Sequence, residues 1–204
     1  MRGRTLILVL LVAAAAVIAV AVLVRRGNGP ESTTPPPRSS VSLLGDSLNV
    51  GVEPYLQGRL AGWTMHADDV VGRPTWIGLE HLRAESSALA PYVVISLGTN
   101  DPATAVAEFD QAVEDALTLA GRHRCVVWPT VHRDGAAYEP FNEVLRALAS
   151  RNRNLRVVEW ERMVEQNPSY LAPDGIHGSP AGYAARAKAI VAAMRSCYDR
   201  GVVS

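Results

Sequence analysis

Asp174 and His177 stand three residues apart in Asp174-Gly175-Ile176-His177, near the C-terminal end of this 204-residue chain. A carboxylate beside an imidazole can fix the ring's tautomer and steady its cation, as a histidine acting as a general base requires. The nucleophile for such a base is Ser47, in Gly45-Asp46-Ser47-Leu48, directly after the apolar run Val41-Ser42-Leu43-Leu44. A second polar loop, Gly98-Thr99-Asn100-Asp101, follows the apolar run Val93-Val94-Ile95-Ser96-Leu97 in the same way. Each piece alone has an ordinary structural reading, because such loops make good turns and helix caps. Together they point to acyl chemistry. A serine attacks, a histidine takes its proton, an aspartate holds the histidine, and the site must offer donors to the oxygen that gains charge.

These groups can meet only if the elements before them end at one rim. An apolar strand, a short Gly-containing loop and a helical pattern make a βα unit, and open parallel sheets bind ligands at strand C-termini. Strands are expected at Val41–Leu44, Trp63–Ala67, Tyr92–Leu97, Cys125–Trp128 and Leu155–Val158. Helices are expected at Leu48–Leu60, Thr75–Leu89, about Tyr138–Ser150, Glu159–Gln166 (a single turn or so) and Pro180–Arg195. A further helix carries Val106, Phe109, Val113, Leu117 and Ala120 on one face, with Asp101 as its N-cap and Pro102 in its first turn. The alternation predicts a parallel sheet with helices on both faces.

With Gly72, in Val71-Gly72-Arg73-Pro74, lying between the Ser47 and Asn100 loops, the motifs resemble the four blocks of the SGNH (GDSL-type) hydrolase family in order. The resemblance covers the chain beyond its N-terminal linker. It implies a three-layer α/β/α sandwich on a five-stranded parallel sheet of flavodoxin-like order. It also implies Ser47, His177 and Asp174 as catalytic residues, and an oxyanion hole formed by the Ser47 and Gly72 backbone N–H groups and the Asn100 amide. Arg73, after the glycine, and His132, just beyond the fourth strand, are candidate substrate contacts. The wording is most similar to the SGNH domains attached to cell-envelope O-acyltransferases, which act on glycan O-acetyl groups. The implied activity is hydrolysis of a short acyl ester, with an acylated carbohydrate or lipid as substrate. Transfer would need a separate membrane acyltransferase to deliver the acyl group. A lysophospholipase or thioesterase of the same fold, and a non-catalytic glycan-binding module, are the alternatives.

Composition narrows the rest. Twenty Lys and Arg balance twenty Asp and Glu, so no basic field argues for nucleic acid. Five scattered histidines and two cysteines make no metal-ligand cluster, and no cofactor is expected. Leu6 to Val24 is continuously apolar, roughly 19 residues and ~28 Å as a helix, flanked by Arg2, Arg4, Arg25 and Arg26. The expected organisation is a membrane signal anchor over 1–26 (a signal peptide with its apolar region ending near Ala19-Val20-Ala21 being the alternative), then a Pro/Ser/Thr-rich linker over 27–40. A hydrolase domain follows over 41–198, with a tail at 199–204. The domain would sit outside the membrane, tethered or, with a cleaved signal, secreted. Cys125 and Cys197 both fall at the N-terminal end of the expected sheet, where an exported domain permits a disulfide; two free thiols are the alternative.

Overall fold

The computed structural model describes residues 34–37 and 39–203. The expected membrane segment and most of the linker lie outside the described residues; among those described, no helix is long and apolar enough to cross a membrane. Five parallel strands form one sheet in the order β2-β1-β3-β4-β5. They are β1 (Ser40–Gly45), β2 (Thr64–Asp69), β3 (Tyr92–Ser96), β4 (Cys125–Pro129) and β5 (Leu155–Val158). The helices are α1 (Ser47–Arg59), α2 (Thr75–Glu85), α3 (Val106–Ala120), α4 (Glu139–Arg151), α5 (Trp160–Gln166) and α6 (Pro180–Asp199). This is the flavodoxin-like order that the family resemblance implies.

The unbroken apolar runs follow from two covered faces. On β3, Val93 and Ile95 pack with Trp128 of β4 against Phe109, Val113 and Leu117 of α3 and Phe141 of α4. Their neighbours Tyr92 and Val94 point the other way, into a core with Val52 and Leu56 of α1 and Ile190, Val191 and Met194 of α6. Phe109 stacks on Phe141 with ring centroids 4.2 Å apart and meets Trp128 edge-on. Swapping the side-chain period by one residue would exchange the two cores, so the register is strongly specified.

Three local expectations are corrected. Asp101 does not cap the helix after it: α3 begins at Val106 behind Ala105 without a side-chain cap. The Asp101 carboxylate instead accepts from the Thr75 backbone N–H at 2.9 Å and from the Thr75 hydroxyl, capping α2 from the loop after β3. Helix α2 stops at Glu85 rather than reaching Leu89. At the C-terminus, α6 runs on to Asp199, and Val203 is buried in the second core, so residues 199–203 finish the domain instead of trailing from it. Two valines there still have apolar surface to cover. Cys125 and Cys197 are joined in a disulfide that ties the start of β4 to the end of α6, Cα atoms 5.9 Å apart.

Candidate active site

Ser47 opens α1 two residues beyond the end of β1, with only Asp46 between them. Asp46 makes that sharp change of direction possible: its backbone N–H donates to Ser96 O, and its carboxylate accepts from the Leu48 N–H at 2.9 Å as the helix N-cap. Ser47 therefore sits where an α-helix leaves its first N–H groups without intrahelical acceptors and where the helix dipole favours negative charge.

His177 reaches this serine from the other end of the chain. Its loop is held by an antiparallel bridge between Leu171 and Gly178 and by the turn bond from Gly175 N–H to Ala172 O. Gly175 adopts φ +68°, and a Cβ there would strike the Asp134 carboxylate, so this turn requires glycine. The loop runs straight into α6, whose start is set by the N-cap Ser179 and the following Pro180.

The resulting contacts are close. His177 Nε2 lies 2.9 Å from Ser47 Oγ, and His177 Nδ1 lies 2.7 Å from Asp174 Oδ2. Asp174 Oδ1 accepts from the backbone N–H groups of Ile176 and His177, both at 3.0 Å. The imidazole contact and these two N–H bonds hold the Asp174 carboxyl down to about 2, so it is ionised and can only accept. Nδ1 must then carry the donated proton, which leaves Nε2 as an acceptor facing the serine hydroxyl. That is the tautomer a general base needs.

Gly72 forms part of the turn after β2, where Arg73 N–H donates to Val70 O. Its φ of +77° is one that other residues rarely adopt, and the space where a Cβ would project is open. This turn is attached to the nucleophile loop, since Val70 N–H donates to Gly45 O. Asn100 ties the two together: its Nδ2 lies 3.1 Å from Asp46 Oδ2 and 3.3 Å from Arg73 O. One amide hydrogen is thus anchored on a carboxylate, while the other has a longer, neutral partner and is the one an incoming oxyanion can recruit. The Asn100 loop is itself fixed by the Tyr138 hydroxyl, which donates to Thr99 O and Asp101 O.

The structure brings Ser47, His177, Asp174, Gly72 and Asn100 to one rim of the sheet; Arg73 and His132 lie on loops at the same rim, but their side chains are engaged elsewhere. Arg73 is buried, its guanidinium spent on the carbonyl and carboxylate of Asp68 at 2.5 and 2.6 Å. A charge taken out of water needs such partners, and it therefore cannot reach a substrate. His132 pairs with Asp134 at 3.2 Å and lines an open cleft with Pro173 and Gly175 that includes none of Ser47, Gly72 and Asn100.

Two further residues under the site were missed. Burial pushes the Asp46 carboxyl up to about 6, opposed by the Leu48 N–H and the Arg186 charge. Arg186 is fully buried; burial pulls it down to about 10, with Asp46 opposing. It donates to Ser96 Oγ at 2.9 Å and lies over the Trp160 ring, 5.0 Å from its centroid. The signal for Arg186 was an arginine three residues after Tyr183 and four before Ile190, on an otherwise apolar helix face. Among the described residues, no group of three or more His, Cys, Asp or Glu is arranged to hold a metal ion.

A doubly wound parallel sheet presenting a hydrogen-bonded Ser–His–Asp chain beside a helix N-terminus defines an α/β fold with the parts of a serine hydrolase. Residues 43–185 match the GDSL-like lipase/acylhydrolase family, and the chain belongs to it. It is an SGNH-type ester hydrolase by family and fold. Over 163 residues it is 29% identical to the peptidoglycan O-acetyltransferase OatA of Listeria monocytogenes, covering 77% of this chain and 24% of that one. The chain thus spans about a quarter of the length of the curated relatives it matches. Among solved structures it is similar to the C-terminal catalytic domain of Streptococcus pneumoniae OatA, with a TM-score of 0.62 at 20% identity, over 80% of this chain and 94% of that one. A family 3 carbohydrate esterase of Clostridium thermocellum also matches, with a TM-score of 0.62 at 14% identity, over 80% of this chain and 96% of that one.

Proposed function

We propose that this chain is a serine esterase that removes acetyl or another short acyl group from a cell-envelope carbohydrate, tethered outside the membrane by its N-terminal segment. The observation that carries the reading is the unbroken chain of contacts Ser47–His177–Asp174, with the proton on the side that leaves Nε2 basic. In the first step His177 Nε2 takes the Ser47 proton as Oγ bonds to the ester carbonyl carbon. The oxyanion is met by the Ser47 and Gly72 N–H groups and the Asn100 amide. The tetrahedral adduct expels the sugar alkoxide, which receives the proton from Nε2, leaving an acyl-serine. Water then attacks, with His177 again as base, and the carboxylic acid departs.

His177 and Asp174 side chains are 38% and 50% exposed, so water reaches the base without displacement of protein groups, which favours hydrolysis. Transfer to a second sugar is the other reading, supported by similarity to a protein named as an O-acetyltransferase. The carbohydrate assignment is supported by the names of that relative and of the carbohydrate esterase. The tether is supported by the apolar run Leu6–Val24 and the Pro-rich stretch after it.

The test is a panel of p-nitrophenyl esters of increasing chain length beside acetylated xylan and O-acetylated peptidoglycan. Acetate release from the polymers and a preference for the shortest esters are expected, both abolished in Ser47→Ala together with fluorophosphonate labelling. A preference for long chains makes it a lipid or thioester hydrolase. Acetylation of an added oligosaccharide outpacing hydrolysis makes it a transferase. For location, a C-terminal reporter active only after export should be active.

A further inference from the structure

Four large hydrophobic side chains are exposed among the described residues: Val50, Val70, Val71 and Trp76. A soluble domain carries such residues singly over its surface without consequence. Here all four fall at one end of the molecule. Val50 is in the first turn of α1, three residues from Ser47; Val70 and Val71 form the turn that presents Gly72; Trp76 is the second residue of α2. Val71 and Trp76 are the most exposed, at 72% and 62%.

The segment that carries them is fastened along its length. Arg73 folds back on Asp68, Asn100 holds the Arg73 carbonyl, and Asp101 holds both the backbone and the hydroxyl of Thr75, the residue before Trp76. Nothing in this bracing serves the exposed side chains themselves, which are presented to solvent on a rigid frame. Preorganised aromatic surface of this kind binds at little entropic cost.

We propose that Trp76, with Val71, is a sugar-binding platform that holds a pyranose ring of the glycan chain whose acyl group enters the Ser47 site; this rests on the carbohydrate-ester reading above. The chemistry selects the occupant. A pyranose has one apolar C–H face that stacks on an indole and a ring of hydroxyls that need acceptors. An acceptor lies beside the platform: Glu80, exposed and one turn beyond Trp76 on α2. Side chains standing more than half exposed do not enclose a fatty acyl chain.

The experiment has a binding arm and a turnover arm, both on the full chain. In the first, Ser47→Ala protein is titrated calorimetrically with acetylated xylooligosaccharide and with soluble O-acetylated peptidoglycan fragments, and compared with Ser47→Ala/Trp76→Ala and Ser47→Ala/Trp76→Phe. The alanine variant should lose roughly ten- to thirty-fold in affinity, the scale of a tryptophan that dominates an interface, and phenylalanine should recover part of it. In the second, Trp76→Ala should raise KM on the oligosaccharide that binds far more than it changes kcat, and the loss should be at least tenfold larger than on p-nitrophenyl acetate, which has no sugar. Unchanged affinity in Trp76→Ala, equal losses on both substrates, or an effect that follows acyl chain length on p-nitrophenyl esters would each overturn the platform. Absence of acetyl-ester hydrolysis by the wild-type protein would overturn the esterase reading alone, because the binding arm still reports on Trp76.

Discussion

Asp174→Asn isolates the step on which the proposed chemistry depends. Asp174 accepts three hydrogen bonds with two oxygens: Oδ1 takes the N–H groups of Ile176 and His177, and Oδ2 takes His177 Nδ1. In the asparagine variant only one of the two terminal atoms accepts. The backbone donors cannot turn away without unmaking the Ala172–Gly178 loop, so the amide oxygen stays with them and the NH2 faces the imidazole. His177 Nδ1 must then accept, its proton moves to Nε2, and a hydrogen points at Ser47 Oγ where a lone pair is needed. The geometry survives while the base is lost, and a substitution of this type drops kcat by ~10⁴. The assay is steady-state kcat/KM on p-nitrophenyl acetate at neutral pH, with the rate of fluorophosphonate labelling of Ser47 as a second readout and circular dichroism to show that the fold is kept. Both rates should fall together by three to four orders of magnitude (roughly, by the same principle). Retention of near wild-type kcat/KM by a folded variant would refute the reasoning, because something other than Asp174 would then be setting the tautomer.

Asn100→Ala should lower kcat by ~10²–10³ with little change in KM, since its second amide hydrogen is needed only when charge develops on the substrate oxygen; a change confined to KM would make it a binding residue. Cys125→Ser/Cys197→Ser opens a loop of sequence separation 72, a loss of about 4 kcal/mol. The melting temperature should drop by roughly 10–15 °C, with activity kept at low temperature because the bond lies at the end of the sheet away from Ser47. Acidity should stabilise the fold in a defined window. The Asp46 carboxyl is raised from 3.8 to about 6 by burial, so the folded state holds a proton that the unfolded chain releases. Stability from this group therefore falls as pH rises from about 4 to about 6, by ~3 kcal/mol. Asp69, also raised to about 6 by burial, adds to the same slope. Urea unfolding at pH 4 and pH 7 reads most of the difference, and Asp46→Asn should flatten it.

The apolar runs ending at Leu44 and Leu97 specified strands buried on both faces, because no solvent-facing alternation interrupts them, and the short Gly-containing loops after them specified the βα connections. The order of Ser47, Gly72, Asn100 and the Asp174–His177 pair was enough to name a family and the residues to watch, since local spacing alone can hold a carboxylate on its own histidine. What the sequence could not settle was every partnership made across the fold. Asp101 is a good N-cap for the helix that follows it, yet Thr75 from another βα loop presents an unpaired N–H to the same carboxylate, and the distant donor wins. Arg73 beside an active-site glycine suggested a substrate contact, yet the strand before it offers Asp68, which draws the guanidinium inward. Arg186, Asp46 and Trp160 are far apart in sequence and meet only when α6 packs against the sheet. Local chain geometry determines turns, caps and the i to i+3 pairing of Asp174 with His177. Desolvation chooses among competing partners for each buried charge, and it acts only once the layers have closed.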